Sequence, residues 1–141
     1  MNKPGPGIRE GDRKGNGSGA PFRRIRLWEL CFELALEVIR LTERFPKPEG
    51  NGLVAEIRSA AILIPSYLAE IPGNSTGRKY LGDLYQSLSS IARLEIQILI
   101  CAELGYLKRE EFLRVEGKIL EVRKLAGGFL RNIQSAGRGA I

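Results

Sequence analysis

From Ile25 to Ile133 apolar residues recur at alternating spacings of three and four, the repeat that gathers side chains on one face of an α-helix. Gly, Pro and Asn cluster between the repeating segments, so the pattern predicts four helices. The first, over about 24–44, carries Leu27, Cys31, Leu34, Val38, Leu41 and then Phe45 on one stripe, and stops where Pro46 and Pro48 withdraw amide donors. The second, over about 53–70, carries Leu53, Ile57, Ala60, Ile64 and Tyr67 and closes before Pro72-Gly73-Asn74. Ser75 is a suitable N-cap for the third, which runs to about Leu104 with Leu81, Leu84, Leu88, Ile91, Leu94, Ile98 and Cys101 inward, and Gly105 is a natural stop. The fourth, over about 109–133, places Phe112, Val115, Ile119, Val122, Ala126, Phe129 and Ile133 on one stripe. No segment alternates with the period of two that a half-buried strand needs. Short connections make successive helices antiparallel, so the expected fold is all-α, an up-down-up-down antiparallel four-helix bundle over 24–134, followed by a flexible C-terminal tail over 135–141.

Pro65 breaks the local rule for a helix interior, because it forfeits one hydrogen bond and crowds the carbonyl of Ala61. A kink in the second helix is expected there, beside the small residues Ser59, Ala60 and Ala61. Helices one and three also hold apolar residues off their main stripes: Leu30, Leu36 and Ile39 on the first, and Ile96, Leu99 and Ile100 on the third. That is more apolar surface than one bundle core requires, and these six residues are the expected interface of a homo-oligomer.

Charge is unevenly spread along the 141 residues and their net +6. Residues 1–24 hold six Lys or Arg against two acids, residues 25–107 eight against ten, and residues 108–141 eight against four, so the segments carry +4, −2 and +4. Residues 1–23 are rich in Gly and Pro and nearly devoid of apolar side chains, which reads as a disordered basic arm. Its GNGSG run has linker composition; no strand precedes it and no Gly-Lys-Ser/Thr follows, so it is not a phosphate loop.

The chemistry available is narrow. The chain has no His, the usual general base and the commonest metal ligand near neutral pH, and no Glu-x-x-His pair for a di-metal bundle site. Cys31 and Cys101 stand far apart inside apolar helical patterns, which suits a reducing cytoplasm better than a disulfide framework or a zinc site. No apolar run approaches the ~20 residues that span a bilayer, and the N-terminus lacks the apolar core of a secretory signal. No catalytic residue, metal or cofactor is expected. Glu56, Glu70 and Glu95, close to the apolar stripes, are the carboxylates an enzyme would use; local pairing, of Glu95 with Arg58 or Arg93 for instance, is the simpler role.

Short motifs along this pattern carry a more specific likeness: Leu27-Trp28, Phe45-Pro46, Gly52-Leu53, the run EIRSAAILIPSYLAE from Glu56 to Glu70, then Lys79-Tyr80-Leu81, Leu84, Ser90, Glu95, Gln97 and Leu104-Gly105-Tyr106. Their order and spacing over about 25–135 resemble the four-helix-bundle family of 23S rRNA intervening-sequence proteins. In that family leucine-tryptophan opens the first helix, phenylalanine-proline ends it, and the second helix reads roughly Q-I-R-R-A-A-x-S-I-P-x-N-I-A-E-G. Leu63, Tyr67 and Ile71 stand here where the family has Ser, Asn and Gly, and Ser89, Ser90 and Arg93 replace a Gly-Ser and a Glu, so a polar task at those positions is placed in doubt while the packing positions survive. The resemblance implies a kinked protomer in a ring-like homopentamer and no enzyme. A related branch, the accessory variability determinant of diversity-generating retroelements, is a basic pentamer that binds nucleic acid and a reverse transcriptase.

Residues and resemblance together lead to a non-catalytic, oligomeric nucleic-acid-binding protein, with structured RNA as the favoured partner. The expected phosphate contacts are Arg9, Arg13, Lys14, Arg23 and Arg24 in the arm, Arg78 and Lys79 opening the third helix, and Lys118, Arg123, Lys124 and Arg131 on the fourth. Tyr80, Tyr85 and Tyr106 are the few aromatics that could stack on bases, so backbone recognition is expected to dominate. The alternative is a protein-interaction scaffold, for example a reverse-transcriptase accessory subunit, binding near Glu29, Glu33 and Glu37.

Overall fold

The computed structural model describes the backbone of residues 20–46, 52–69 and 78–139, and side chains over 24–46, 52–69 and 79–132. Helix α1 spans Ala20–Thr42, α2 Leu53–Ala69, α3 Arg78–Glu103 and α4 Arg109–Gly139, and the described residues include no strand. α1 begins within the stretch expected to be an arm, since residues 20–23 are helical, and Pro21 fits because the first turn has no intrahelical use for its missing amide. α4 runs past Ile133 to Gly139, so residues 135–139 are helix and not tail. Arg9, Arg13, Lys14, Glu70, Ile71, Pro72-Gly73-Asn74 and Ser75 lie outside the described residues.

The helix ends are set by local chemistry. α1 tightens into three-residue turns, with the amides of Glu43, Arg44 and Phe45 donating to the carbonyls of Arg40, Leu41 and Thr42, and Pro46 follows. α3 ends in a Schellman motif: the Gly105 amide donates to Ala102 at 3.1 Å, the Tyr106 amide donates to Cys101 at 2.9 Å, and Gly105 takes φ +79°. α4 opens with half a capping box, the Glu111 carboxylate accepting the Lys108 amide at 2.9 Å, and Glu110 and Glu111 complement the helix dipole.

Each helix packs on two neighbours, α1 on α2 and α4, and α3 on α2 and α4, which closes a four-cornered bundle. Contacts at its two ends show the alternating directions. At one end the Arg24 guanidinium of α1 lies 4.3 Å from the Tyr80 ring of α3, which meets Phe129 of α4 with centroids 6.2 Å apart. At the other, Phe45 meets Tyr106 at 5.4 Å, Arg44 pairs with Glu111, and the Arg58 Nε donates to the Thr42 hydroxyl at 2.9 Å. Most of the expected stripes form the core: Leu27, Cys31, Leu34, Val38, Ile57, Ile64, Leu84, Ile91, Leu94, Val115, Ile119 and Val122 are all essentially inaccessible, while Leu53, Tyr67, Leu81, Leu88 and Phe112 are half-buried and Val54, Ala61, Tyr80 and Leu107 join the core.

The α2–α3 seam is lined by small and polar groups. Ala60, Ala61, Ser87 and Ser90 are buried, and the Ser87 hydroxyl donates to the Ile64 carbonyl at 2.9 Å. Pro65 is buried in the same turn; α2 continues through it to Ala69 while the Ser66 hydroxyl donates to the Ile62 carbonyl at 2.6 Å. Among the described residues no helix is long and apolar enough to cross a membrane.

Candidate nucleic-acid interface

The alternating topology decides which basic segments meet. The starts of α1 and α3 and the end of α4 share one end of the bundle, which brings Arg23, Arg24 and Arg26 together with Arg78 and Lys79 and with Arg131 and Arg138. Side chains of Arg23, Arg78 and Arg138 lie outside the described set; their backbone positions fix the end they occupy. From Val122 to Ile141 the chain has four Lys or Arg and no acid. Arg138 was absent from the sequence-based set because the apolar stripe, which alone marked the helix, ends at Ile133.

Within this end Arg24 lies over the Tyr80 ring, a cation–π contact that ties α1 to α3. Burial pushes the Tyr80 hydroxyl up, opposed by the charge of Arg24. Lys79 pairs with Asp83 one turn on at 3.2 Å, Arg26 pairs with Glu29 at 3.9 Å, and Arg131 is exposed. Tyr80 is therefore a packing residue and not a base-stacking one, while Tyr85 is exposed and Tyr106 half-buried.

Two expected phosphate ligands lie elsewhere. The Lys118 Nζ reaches Glu37 at 2.8 Å in the α1–α4 seam, and the Arg123 guanidinium reaches Glu95 at 2.8 Å in the α3–α4 seam. Glu95 thus pairs with neither Arg58 nor Arg93, because Arg58 is turned to Thr42 and Arg93 is exposed. Lys124 is exposed midway along α4. The α1–α4 seam opens into a groove of about 400 Å³ in which Arg40, Arg44, Arg114 and Lys118 alternate with Glu33, Glu37 and Glu111. Burial raises the Glu37 carboxyl, but hydrogen bonds and charge from Lys118 and Arg114 outweigh it and hold it below the usual range. The Lys108 amide does the same for Glu111, helped by Arg44. Glu37 is thus held in ion pairs, and Glu33, exposed, lines the same mixed-charge groove.

The carboxylates an enzyme would use are dispersed: Glu56 is exposed, Glu95 is ion-paired, and no cluster of three or more His, Cys, Asp or Glu suited to a metal occurs among the described residues. Of the positions departing from the family pattern, Leu63 and Tyr67 are half-buried, Ser89 and Arg93 exposed and Ser90 buried.

Large apolar side chains are exposed on all four helices. Leu30 is not among them; at 7% exposure it belongs to the protomer's own core, because it follows Leu27 by three and faces inward. On α1, half-buried Trp28 and Ile39 and exposed Phe32 and Leu36 run at spacings of four, four and three, Leu36 also lining the α1–α4 groove, and Ile62 of α2 is exposed one turn beyond Arg58, which reaches Thr42 of α1. Ile96, Leu99 and Ile100 of α3 are exposed, as are Leu113 and Leu120 of α4. Phe32, Ile62, Leu113 and Leu120 escaped the sequence reading; the seven-residue spacing of Leu113 and Leu120 was the signal for the last two.

The fold and the placement of its motifs agree with a profile match over residues 23–128 to the family described as 23S rRNA-intervening sequence protein. The chain belongs to this family. The match spans all four helices and stops short of the last turns of α4, so the family accounts for the bundle. No curated protein matches the chain as a relative.

Proposed function

We propose that this protein is a non-catalytic, self-associating nucleic-acid-binding protein that takes structured RNA on the basic end of the bundle. The observation that carries the reading is the convergence at that end of three basic segments distant in sequence, at the starts of α1 and α3 and the end of α4. Intramolecular ion pairs hold Lys118 and Arg123 in the seams, whereas at this end Arg131 is exposed and Lys79, beside Asp83, keeps 63% of its side chain exposed. The family's description supports RNA as the partner. The exposed apolar faces support a homo-oligomer, and a ring such as the pentamer implied by the family resemblance would repeat the basic end in each subunit, so that weak phosphate contacts act together.

Fluorescence anisotropy of a labelled, structured RNA at low and physiological salt tests the proposal. The expected result is micromolar or tighter binding at low salt that weakens steeply as salt rises, as counterion release requires. Absence of binding at low salt would contradict it and favour a protein-binding scaffold.

A further inference from the structure

We propose that the groove between α1 and α4 binds a compact dianion, the phosphate monoester of a small molecule. The site is separate from the basic end of the bundle and does not depend on RNA binding there. Glu33, Glu37, Arg40 and Arg44 follow one another at spacings of three and four along α1, and Glu111, Arg114 and Lys118 do so along α4, so each helix lines the groove with one charged row. Because the helices run antiparallel, Arg44 meets Glu111, and Glu37 meets Arg114 and Lys118.

The two signs sit at different depths. The side chains of Glu37 and Glu111 keep only 16% and 12% of their surface exposed, whereas those of Arg44, Arg114 and Lys118 keep 54%, 55% and 33%. The carboxylates form the floor and the cations the rim, so solvent meets this seam as a cationic surface. A guanidinium tethered at one nitrogen keeps its other N–H groups for a ligand: Arg114 uses Nε on Glu37, and Arg44 uses one Nη on Glu111. The tether also orders these side chains before a ligand arrives, which lowers the entropy cost of binding.

The charge count points to a dianion. Arg40, exposed and between Glu37 and Arg44 in the α1 row, has no ion-pair partner among the described residues. Arg40, Arg44, Arg114 and Lys118 against Glu37 and Glu111 are four cations against two carboxylates, a surplus of +2. A phosphate monoester carries roughly −1.5 to −2 at neutral pH, and its oxygens suit the planar fork of arginine. Glu33 restricts what else fits. It is exposed on the same groove, seven residues before Arg40 and so about 10 Å away along the helix axis. A polynucleotide laid along the groove would bring its phosphates against this carboxylate, while a compact anion seated at Arg40 stays clear of it. The groove holds about 400 Å³, within the range of roughly 300–1,000 Å³ of small-molecule pockets, so a carbon skeleton fits beside the phosphate against Leu36 and Leu41.

Isothermal titration calorimetry of the full-length protein with ribose 5-phosphate tests the site, with ribose as the neutral control and sodium chloride holding the ionic strength constant. Saturable binding with a Kd of about 1 mM or tighter is expected for the phosphate, and none for ribose. Arg40→Gln removes an exposed guanidinium that nothing in the protomer pairs with, so it should weaken binding about tenfold while leaving the urea midpoint unchanged. Arg114→Gln should weaken binding similarly, with far-UV circular dichroism checking that the variant is folded. Backbone amides that shift on titration in a heteronuclear NMR spectrum should cluster on the facing turns of α1 and α4. Lys79→Glu with Arg131→Glu at the basic end should leave ribose 5-phosphate affinity unchanged, and Arg40→Gln should leave RNA affinity unchanged, so failure of this site and failure of the RNA reading are separable. Absence of saturable binding, equal binding of ribose, or affinity that survives Arg40→Gln and falls with the basic-end variant would overturn the proposal.

Discussion

Glu37 takes Lys118 and Arg114 from successive turns of α4 on one carboxylate, so with the Arg44–Glu111 pair it links α1 to α4 electrostatically. Its folded pKa lies below the ordinary 4.5. Its contribution is therefore present above that value and is lost as pH falls through the lowered one. Glu37→Gln should cost about 1 kcal/mol or less at neutral pH, measured by urea unfolding, with the gap to wild type closing as pH falls below the ordinary carboxylate range. A gap independent of pH would show that the carboxylate charge is not what acts. Burial affects the thiols differently. Cys31 is pushed up to about 12 and Cys101 is fully buried, so neither is a ready nucleophile. Ellman's reagent should leave both unmodified in the native protein and titrate both in denaturant; fast native labelling would contradict the packing.

At the scale of the element, each helix was legible where an apolar stripe runs and lost where the stripe stops. Leu34, Ile57, Leu94 and Val115 sit in the core their spacing assigns them. The extension of α1 back to Ala20 and of α4 out to Gly139 had no such signal, since no apolar stripe runs through either and they carry Pro21, Gly137 and Gly139. Gly105 was readable as a stop because its positive φ is a local requirement, which the structure meets at +79°. Gly105→Ala should cost about 1–2 kcal/mol in a urea melt, and a neutral result would mean the turn has another conformation open to it. The ion pairs were not legible. Glu95 stands two residues from Arg93 in sequence, but the seam delivers Arg123 to it, and only the rotation of α4 against α3 decides that. For the same reason Lys118 and Arg123 read as phosphate ligands in sequence and are seam residues in the fold.

For the whole molecule the uneven charge of the chain acquires a meaning it lacks in sequence, because alternating helices bring the start of the bundle and its end to the same place. The apolar excess likewise changes membership, with Leu30 reassigned to the core and Phe32, Ile62, Leu113 and Leu120 added to the exposed set. Both follow from topology acting on residues that pattern alone identifies one helix at a time. The central claim is that one end of the bundle, and not its net charge, binds RNA. The most direct test compares two double variants of equal charge change, Lys79→Glu with Arg131→Glu at the basic end and Arg40→Glu with Lys108→Glu toward the other. In an anisotropy titration over a range of salt, the first pair should lose affinity and flatten the logarithmic salt slope by about 1 per replaced contact, while the second stays close to wild type. Equal losses from both pairs would contradict the account.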